Sequence, residues 1–258
     1  MRVFKFCFFV LVIGLVSFSV AKKKPVLYII GDSTVKNGSV KLLDALWGWG
    51  SLVGVYFDSN KIDVQNHAIG GRSSRTFITE GRWANILKTL KKGDYVLMQF
   101  GHNDTSPLDD TARARGTIRG VGDEFKDTYN PIRKMNERVY TFGYYMRQYV
   151  KDVKAKGAVP VICSPVPRNN FKDGKVNRAN NDYGLWTKQV AAETGAYFID
   201  LNNLIADEYD KMGAGEIKKF FPKDNTHPDR AGSQLNAQKV VDGIKMLDGC
   251  KLKKYLKK

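Results

Sequence analysis

The stretch that decides the fold is residues 26–34, which read VLYIIGDST. Residues 26–30 are apolar or aromatic at every position, as expected of a strand that is buried on both faces of a parallel sheet. The run stops at Gly31, and the polar residues Asp32 and Ser33 follow. This pattern predicts a central strand that ends in a tight turn, with polar side chains at the carboxyl edge of the sheet.

Outward from this strand, apolar runs alternate with longer amphipathic stretches, a pattern typical of a parallel sheet flanked by helices. Strands are predicted at residues 26–30, 62–69, 95–100, 159–164 and 196–201. Helices are predicted at residues 42–56, 82–90, 137–156, 181–194, 201–212 and 230–247. The fold class is therefore α/β: a three-layer α/β/α sandwich around a five-stranded parallel sheet.

Two polar segments, residues 104–131 and 169–181, interrupt this alternation. Loops of this kind inside compact domains are usually functional or disordered. Both follow the carboxyl end of a predicted strand, where open α/β sheets bind their ligands. We therefore expect them to border the functional site.

Residues 1–21 have the form of a bacterial-type export signal: two basic residues, an apolar run, and a small-x-small cleavage site at Ser19-Val20-Ala21. The apolar run is shorter than the roughly 20 residues that a bilayer span needs. Three lysines at 22–24 oppose translocation, so an uncleaved anchor stays open. We predict a signal peptide at 1–21, a single domain at 22–258, and a periplasmic or secreted protein that leaves the membrane after cleavage.

The 258 residues carry 42 Lys and Arg against 26 Asp and Glu, a net charge of +16. This charge attracts polyanions, and nucleic acid, anionic lipid and acidic polysaccharide all qualify on charge alone. The 43% of hydrophobic residues excludes a disordered or collagen-like chain. Beyond the signal only Cys163 and Cys250 remain, too few for a disulfide framework or a cysteine zinc cluster, and whether they pair stays open.

Ser33 is a candidate nucleophile. A serine at a sharp turn after a buried strand can present both its hydroxyl and its backbone N–H to a cleft, which suits attack on a carbonyl and stabilisation of an oxyanion. The alternative is that Asp32 or Ser33 caps a following helix. Asp224 and His227 lie three residues apart, a spacing at which the carboxylate can hold the imidazole while the other ring nitrogen takes a proton from serine.

Gly71 and Asn103 are candidates for an oxyanion hole. Gly71 follows the second predicted strand and Asn103 the third. Glycine lets a backbone N–H approach a reacting oxygen closely, and the asparagine NH₂ is a neutral donor, although both residues are also common in turns. Because Ser33, Gly71 and Asn103 each follow a strand of one parallel sheet, we expect them to meet at one edge, with His227 supplied by a later loop.

These residues resemble the SGNH, or GDSL-type, esterases and lipases, and most closely the rhamnogalacturonan acetylesterases. The resemblance rests on blocks in the same order as in that family: 31–34 (GDST), 66–73 (NHAIGGRS), 80–83 (EGRW), 93–104 (GDYVLMQFGHND) and 221–227 (FPKDNTH). It implies a flavodoxin-like sandwich with Ser33 as nucleophile, His227 as general base and Asp224 as its partner. It also implies an oxyanion hole of the Ser33 and Gly71 N–H groups with the Asn103 side chain, and no metal or organic cofactor.

Substrate binding has four candidates: Arg72, His102, Arg168 and Trp186. Trp186 follows the second polar segment, and His102 is expected mainly to support the loop that aims Asn103. Basic residues that flank the catalytic blocks would suit the carboxylates of galacturonate: Lys36, Arg72, Arg75, Arg113, Arg115, Arg119, Arg168, Lys223 and Arg230. No metal-ligand spacing such as H-E-x-x-H occurs, so we expect no metal. Trp47, Trp49 and Trp83 are expected in the core.

We therefore expect a serine ester hydrolase that removes acetyl groups from the rhamnogalacturonan of plant cell-wall pectin. Its partner would be this acetylated acidic polysaccharide, with no nucleic acid. Two alternatives stay open. The same enzyme could act on another acetylated glycan such as xylan, or on a lipid or small ester, and a protein without activity could use its charge to bind a polyanion.

Overall fold

A computed structural model of the protein describes residues 23–38 and 46–257, so the predicted signal at 1–21 lies outside the described residues. The strands are β1 Val26–Gly31, β2 Asp63–Asn66, β3 Tyr95–Gln99, β4 Phe125–Asn130, β5 Met135–Tyr140, β6 Val159–Cys163, β7 Phe171–Lys172, β8 Lys175–Val176 and β9 Tyr197–Ile199. The α-helices are α1 Ser74–Thr79, α2 Arg82–Leu87, α3 Phe142–Ala155, α4 Tyr183–Thr194, α5 Leu201–Met212, α6 Ala214–Lys218 and α7 Arg230–Met246. Short 3₁₀ helices cover Trp49–Ser51, Val53–Tyr56 and Lys251–Tyr255.

The central sheet has five strands in the order β2-β1-β3-β6-β9, and every pair of neighbours is parallel. The predicted five-stranded parallel sheet is confirmed, with β2 and β9 shorter than predicted. The strand order reverses direction between β1 and β3, since the chain first adds β2 on one side and then β3, β6 and β9 on the other. Such a switch point leaves a crevice at the carboxyl ends of the strands.

Two hydrophobic clusters cover the faces of this sheet. Leu27 and Ile29 of β1 belong to one cluster, with α5 and α7, while Tyr28 and Ile30 belong to the other, with α3 and α4. Successive side chains of a strand point to opposite faces, so a strand that is apolar at every position must be covered on both. The α/β/α layering follows from that pattern, and Trp49 and Trp83 are buried in the two clusters as expected.

The predicted helix at 42–56 is wrong over its described part. Residues 46–56 contain only the two 3₁₀ helices, and the N–H groups of Gly48 and Trp49 donate to the carbonyl oxygens of Lys36 and Thr34 instead of to the preceding turn. A Cβ on Gly48 would lie 2.4 Å from the backbone of Val35. This close backbone contact replaces the helical hydrogen bonds and supports the turn that carries Ser33.

The predicted helix at 137–156 starts too early. Residues 135–140 are β5, which pairs antiparallel with β4, and the helix begins at Phe142 behind Thr141, whose hydroxyl accepts from the Tyr144 N–H. A threonine N-cap stabilises that start. The short helices α1 and α6 were not predicted, and β4 forms within the segment at 104–131 that showed no periodicity.

Cys163 and Cys250 are both buried free thiols, so they do not pair. Burial raises the pKa of the Cys163 thiol well above its usual range, which keeps it protonated and unreactive. No helix within residues 23–38 and 46–257 is long and apolar enough to cross a membrane.

Candidate active site

Asp32 builds the turn that presents Ser33. Its Oδ1 accepts from the N–H and the hydroxyl of Thr34, and its carbonyl oxygen accepts from the Val35 and Lys36 N–H groups. No helix follows in the described residues up to 38, so Asp32 holds the turn rather than a helix end. Ser33 is half-buried at the tip, and its hydroxyl is left for other partners.

A chain of buried hydrogen bonds holds this turn against β3. The Trp49 indole N–H donates to Gln99 Oε1 at 2.8 Å, and Gln99 Nε2 donates to the Thr34 hydroxyl at 2.7 Å. That hydroxyl in turn donates to Asp32 Oδ1. Every member is fully or almost fully buried, so each bond acts in a medium of low dielectric and the chain holds the Ser33 turn rigidly against β3.

Ser33, His227 and Asp224 lie in one hydrogen-bonded line. His227 Nε2 is 2.8 Å from Ser33 Oγ, and His227 Nδ1 is 2.7 Å from Asp224 Oδ2. The second oxygen of Asp224 accepts from the backbone N–H groups of Thr226 and His227. Two residues that are 194 positions apart in the chain are thus joined in the geometry of a nucleophile and its base.

The Asp224 carboxyl keeps its charge in this arrangement. Burial alone would raise its pKa, but the hydrogen bonds from His227 and Thr226 outweigh burial and hold the pKa below its usual range. An ionised Asp224 accepts the Nδ1–H of His227, which leaves the Nε2 lone pair toward Ser33. The site is therefore set for proton transfer from the Ser33 hydroxyl.

Three hydrogen-bond donors belong to residues that line the cleft at this edge of the sheet. In the part of the chain that the structure describes, neither the Ser33 nor the Gly71 N–H donates to a protein acceptor. Asn103 Nδ2 donates one hydrogen to the Arg72 carbonyl oxygen at 2.9 Å and keeps its second. Gly71 has φ +77°, a conformation that favours glycine. These groups line one cleft with Ser33 and His227, as the sequence led us to expect.

Sequence reasoning did not find the residue that holds Asn103. Arg115 Nη1 donates to Asn103 Oδ1 at 3.0 Å, and Arg115 Nε donates to Ser106 Oγ at 2.9 Å. With the Arg72 carbonyl on its other side, the Asn103 amide is fixed at both ends. In the sequence Arg115 is one basic residue among many. Its contact with Asn103 spans 12 positions of a loop without periodicity, so no sequence pattern indicates it.

The loop that carries Arg115 is organised by Asp110. The Asp110 carboxylate accepts from the backbone N–H groups of Ala112, Arg113 and Arg115, and its carbonyl oxygen accepts from Ala114. Ala114 is buried with φ 48°, a left-handed conformation that costs an alanine about 1–2 kcal/mol. This strained turn directs Arg115 to Asn103 and lays the Arg113 guanidinium against Gly71.

The cleft around Ser33 is strongly positive. It encloses about 530 Å³, and four cationic side chains line it: Lys36, Arg113, Arg115 and Arg168. Among the described residues, no carboxylate lies within ion-pair distance of any of them. Arg168 hydrogen-bonds to the Thr226 hydroxyl beside His227. A cleft with uncompensated cations around a nucleophile suits an anionic ligand.

His102 lies between the Ser33 turn and the loop that follows β6. Its Nε2 donates to the Val166 carbonyl oxygen at 3.0 Å, and its Nδ1 is 3.3 Å from Asp32 Oδ2. Burial alone would raise the pKa of Asp32, but His102 and the two Thr34 donors outweigh it and hold the pKa below its usual range. His102 thus links Asp32 to the loop of Asn103, in keeping with its expected supporting role.

Two predicted substrate-binding residues lie apart from the cleft. The Arg72 guanidinium pairs with Glu80 at 2.9 Å and with the Gly70 carbonyl oxygen, so only its own carbonyl serves the site, through Asn103. The Trp186 ring packs edge-on against Tyr183, with centroids 4.8 Å apart, beside the core cluster under α3 and α4. A tryptophan that follows a polar loop can face either the core or a substrate cleft, and the sequence pattern does not distinguish the two positions.

Comparison with known proteins identifies the family of this chain. Residues 29–235 match the GDSL-like Lipase/Acylhydrolase family. The chain belongs to this family. It is a hydrolytic esterase, and the matched range includes Ser33, Asp224 and His227.

Individual relatives agree with the family. The chain is 32% identical to the rhamnogalacturonan acetylesterase of Emericella nidulans, over 84% of each protein. It is 31% identical to the rhamnogalacturonan acetylesterase RhgT of Bacillus subtilis, over 91% of this chain and 95% of RhgT. The structure of YxiM from Bacillus subtilis aligns with TM-score 0.69 at 29% identity, over 86% of this chain and 56% of that one.

An acetylxylan esterase, Axe2 from Geobacillus stearothermophilus, shares the fold of this esterase. It aligns with TM-score 0.55 over 85% of this chain and 93% of that one, at 17% identity. A sequence identity of 17% supports a shared fold and nothing further. The α/β sandwich predicted from the sequence is confirmed by these neighbours.

Proposed function

We propose that this esterase removes O-acetyl groups from a plant cell-wall polysaccharide, the rhamnogalacturonan of pectin. One observation carries the proposal: the Ser33–His227–Asp224 line lies in a cleft lined by four cations that have no carboxylate partner in residues 23–38 and 46–257. The line supports ester hydrolysis by a serine, and the cations support a polymer with carboxylate groups. The names of the relatives from Emericella nidulans and Bacillus subtilis agree with this substrate.

In the first half of the reaction, Ser33 Oγ attacks the carbonyl carbon of the acetyl ester. Its proton passes to His227 Nε2, and the ionised Asp224 stabilises the imidazolium through Nδ1. The tetrahedral intermediate collapses as the bond from carbon to the sugar oxygen breaks. That oxygen takes the proton from His227, so a free sugar hydroxyl leaves and the acetyl group stays on Ser33.

In the second half, water attacks the acetyl-Ser33 carbonyl while His227 takes its proton. The bond to Ser33 Oγ then breaks, Oγ regains a proton from His227, and acetate leaves. The N–H groups of Ser33 and Gly71 and the free hydrogen of Asn103 Nδ2 face the developing oxyanion in both halves. Each donor of this kind contributes roughly 10²- to 10³-fold to the rate.

The cations of the cleft favour an acidic acetylated glycan over a neutral one. Xylan with a neutral backbone would leave Lys36, Arg113 and Arg168 without counter-charges, whereas the galacturonate residues of the pectic polymer supply them. Exposed charges are screened over about a Debye length, roughly 10 Å at 0.1 M salt. We therefore expect the KM for the pectic polymer, but not that for a small aryl acetate, to rise with ionic strength.

This substrate lies outside the cell, which accords with export. The signal predicted at residues 1–21, the single domain at 22–258 and the periplasmic or secreted location remain part of the proposal. Sequencing the N-terminus of the exported protein tests the cleavage after Ala21 directly.

The experiment is acetate release from acetylated rhamnogalacturonan, acetylated xylan and an aryl acetate. Ser33→Ala should lose at least about 10³-fold in kcat on every substrate that the wild type hydrolyses, since the nucleophile itself is gone. Ser59→Ala is the matched control, because the Ser59 side chain is exposed and does not line the cleft. Preference for the pectic polymer over xylan supports the substrate.

Other outcomes contradict separate parts of the proposal. Hydrolysis of xylan in preference to the pectic polymer keeps Ser33 as nucleophile and refutes the acidic substrate. Full activity of Ser33→Ala refutes the mechanism. Binding of the polymer without release of acetate from any ester would favour a protein that only binds polyanions.

A further inference from the structure

A second cavity lies beside the catalytic cleft at the same edge of the sheet. It encloses about 170 Å³ above the carboxyl ends of β3, β6 and β9. His102 and Arg168 line both this cavity and the cleft of Ser33, so the two are adjacent. A polymer chain that places one sugar at Ser33 can therefore place a neighbouring sugar here.

The outer wall of this cavity is a built structure. The β7–β8 hairpin turns at Asp173 and Gly174, both with positive φ, and the Val176 N–H donates to Asp210 Oδ1 of α5 at 2.8 Å. Arg178 pairs with Asp207 and Asp210 of the same helix, at 2.8 Å each. The polar segment at 169–181 is thus anchored to α5, and it holds its side chains over the cavity.

Polar atoms along this wall are left for a ligand. Asp182 precedes α4 but makes no capping bond to it, and its Oδ1 is buried without a hydrogen-bond partner among the described residues. The Asn177 side chain is exposed and has no protein partner in the described ranges. Asn170 accepts from Asn225 through Oδ1, which leaves its NH₂ group. A buried carboxylate oxygen without a donor is costly, and a ligand hydroxyl would offset that cost.

The charge of the cavity differs from that of the cleft. Arg178 is neutralised by two carboxylates, and the Asp182 carboxylate, with no cation within ion-pair distance among the described residues, offsets Arg168, the cation that this cavity shares with the cleft. A second galacturonate here would face the Asp182 carboxylate and be repelled. Hydroxyl groups of an uncharged sugar can instead donate to Asp182 and bond with the Asn170 and Asn177 amides.

We propose that this cavity is a subsite for an uncharged sugar residue, the neighbour in the polymer of the residue that carries the acetyl ester. The inference rests on the proposed polysaccharide substrate and adds how its sugars are placed. An acidic part of the polymer lies over the cationic cleft, and a neutral sugar lies toward Asp182. Asp182 and Asn177 are then specificity residues, distant from the reacting atoms.

The test compares two substrates in each variant: the acetylated pectic polymer, which fills the subsite, and an aryl acetate, which has no second sugar. The readout is the ratio of kcat/KM for the polymer to that for the aryl acetate. Asn177→Ala should lower this ratio about fivefold, as for one neutral hydrogen bond, and Asp182→Ala about twentyfold, as for a charged one. Both losses should appear in KM and should not change with ionic strength.

Asn136→Ala and Asp248→Ala are matched controls, since both side chains are exposed and line neither cavity. Folding should survive the test changes, because Asn177 is exposed and Asp182 does not cap its helix. Ratios equal to those of the controls refute the subsite. So does an equal loss on the aryl acetate, which would place the effect in catalysis.

An error in the proposed pectic substrate would give a result different from an error in the proposed subsite. If the wild type hydrolyses acetylated xylan instead, the proposed substrate is wrong, and the same variants on xylan decide the subsite: a selective loss in KM supports it and unchanged ratios refute it. If the wild type hydrolyses no polymer, both proposals fail.

Discussion

Replacing Arg115 by alanine should slow catalysis about 10- to 30-fold by releasing Asn103. Losing an oxyanion donor altogether costs about 3 kcal/mol, or 10²- to 10³-fold. Arg115 supplies one of the two hydrogen bonds that fix the Asn103 amide, and a hydrogen bond to a charged group is worth about 1.5–3 kcal/mol. Arg115 is only partly buried, so solvent screening favours the lower end, about 1.5–2 kcal/mol.

The assay is a double-mutant cycle on kcat for an aryl acetate, which avoids any effect on polymer binding. Asn103→Ala should be slower than Arg115→Ala, and the double variant should be no slower than Asn103→Ala, because Arg115 acts through Asn103. Arg138→Ala, which removes an exposed arginine paired with Asp127, is the control and should match the wild type. If the Arg115 loss is as large without Asn103 as with it, the positioning argument is refuted.

Three further predictions follow from the geometry. Gly71→Ala should lose about 10²-fold in kcat, because φ +77° strains an alanine and its Cβ would meet the Arg113 guanidinium; a kcat within twofold of the wild type would contradict this. Arg75→Ala should lower the free energy of unfolding in urea by about 3 kcal/mol, since it removes the closest cation of the largely buried Glu137 and leaves it only Arg133, at 4.0 Å; a loss below about 1 kcal/mol would argue against it. Burial raises the pKa of Asp104 to about 7, above its unfolded value, so the stability from its protonated form is present at acidic pH and lost as pH rises toward 7. Asp104→Asn should remove this dependence, and its free energy of unfolding relative to the wild type should rise by up to about 4 kcal/mol between pH 4 and 8; a flat difference would contradict the raised pKa.

The sequence predicted the parts of the site that stand next to strands. Ser33, Gly71 and Asn103 each follow a predicted strand, and parallel strands bring their carboxyl ends to one edge whatever the length of the connections. His227 could be added because Asp224 stands three residues before it. These positions were predictable because strand periodicity and local spacing are visible in a chain without its tertiary contacts.

The supporting residues were not predictable in the same way. Arg115 reaches Asn103 because Asp110 binds three backbone N–H groups and Ala114 is held in a left-handed conformation. That arrangement depends on side-chain to backbone bonds within a polar loop, which have no period. The helix predicted at 42–56 is absent from residues 46–56 for a related reason: Gly48 and Gly50 pack against the Ser33 turn, a long-range contact that overrides local helical preference.

Chemistry and specificity are therefore built from different parts of this chain. Ser33, Gly71 and Asn103 follow strands fixed by two hydrophobic clusters, and His227 lies on the loop before α7, whereas Arg113, Asn170, Asn177 and Asp182 come from or border the polar insertions. One insertion is held by Asp110 within it and the other by ion pairs to α5, so their exposed side chains can change with little effect on the sheet. A change of substrate thus requires substitutions in the insertions or at Lys36 and Arg168, the two cleft cations outside them, whereas a change of reaction would require altering the turns that the core holds.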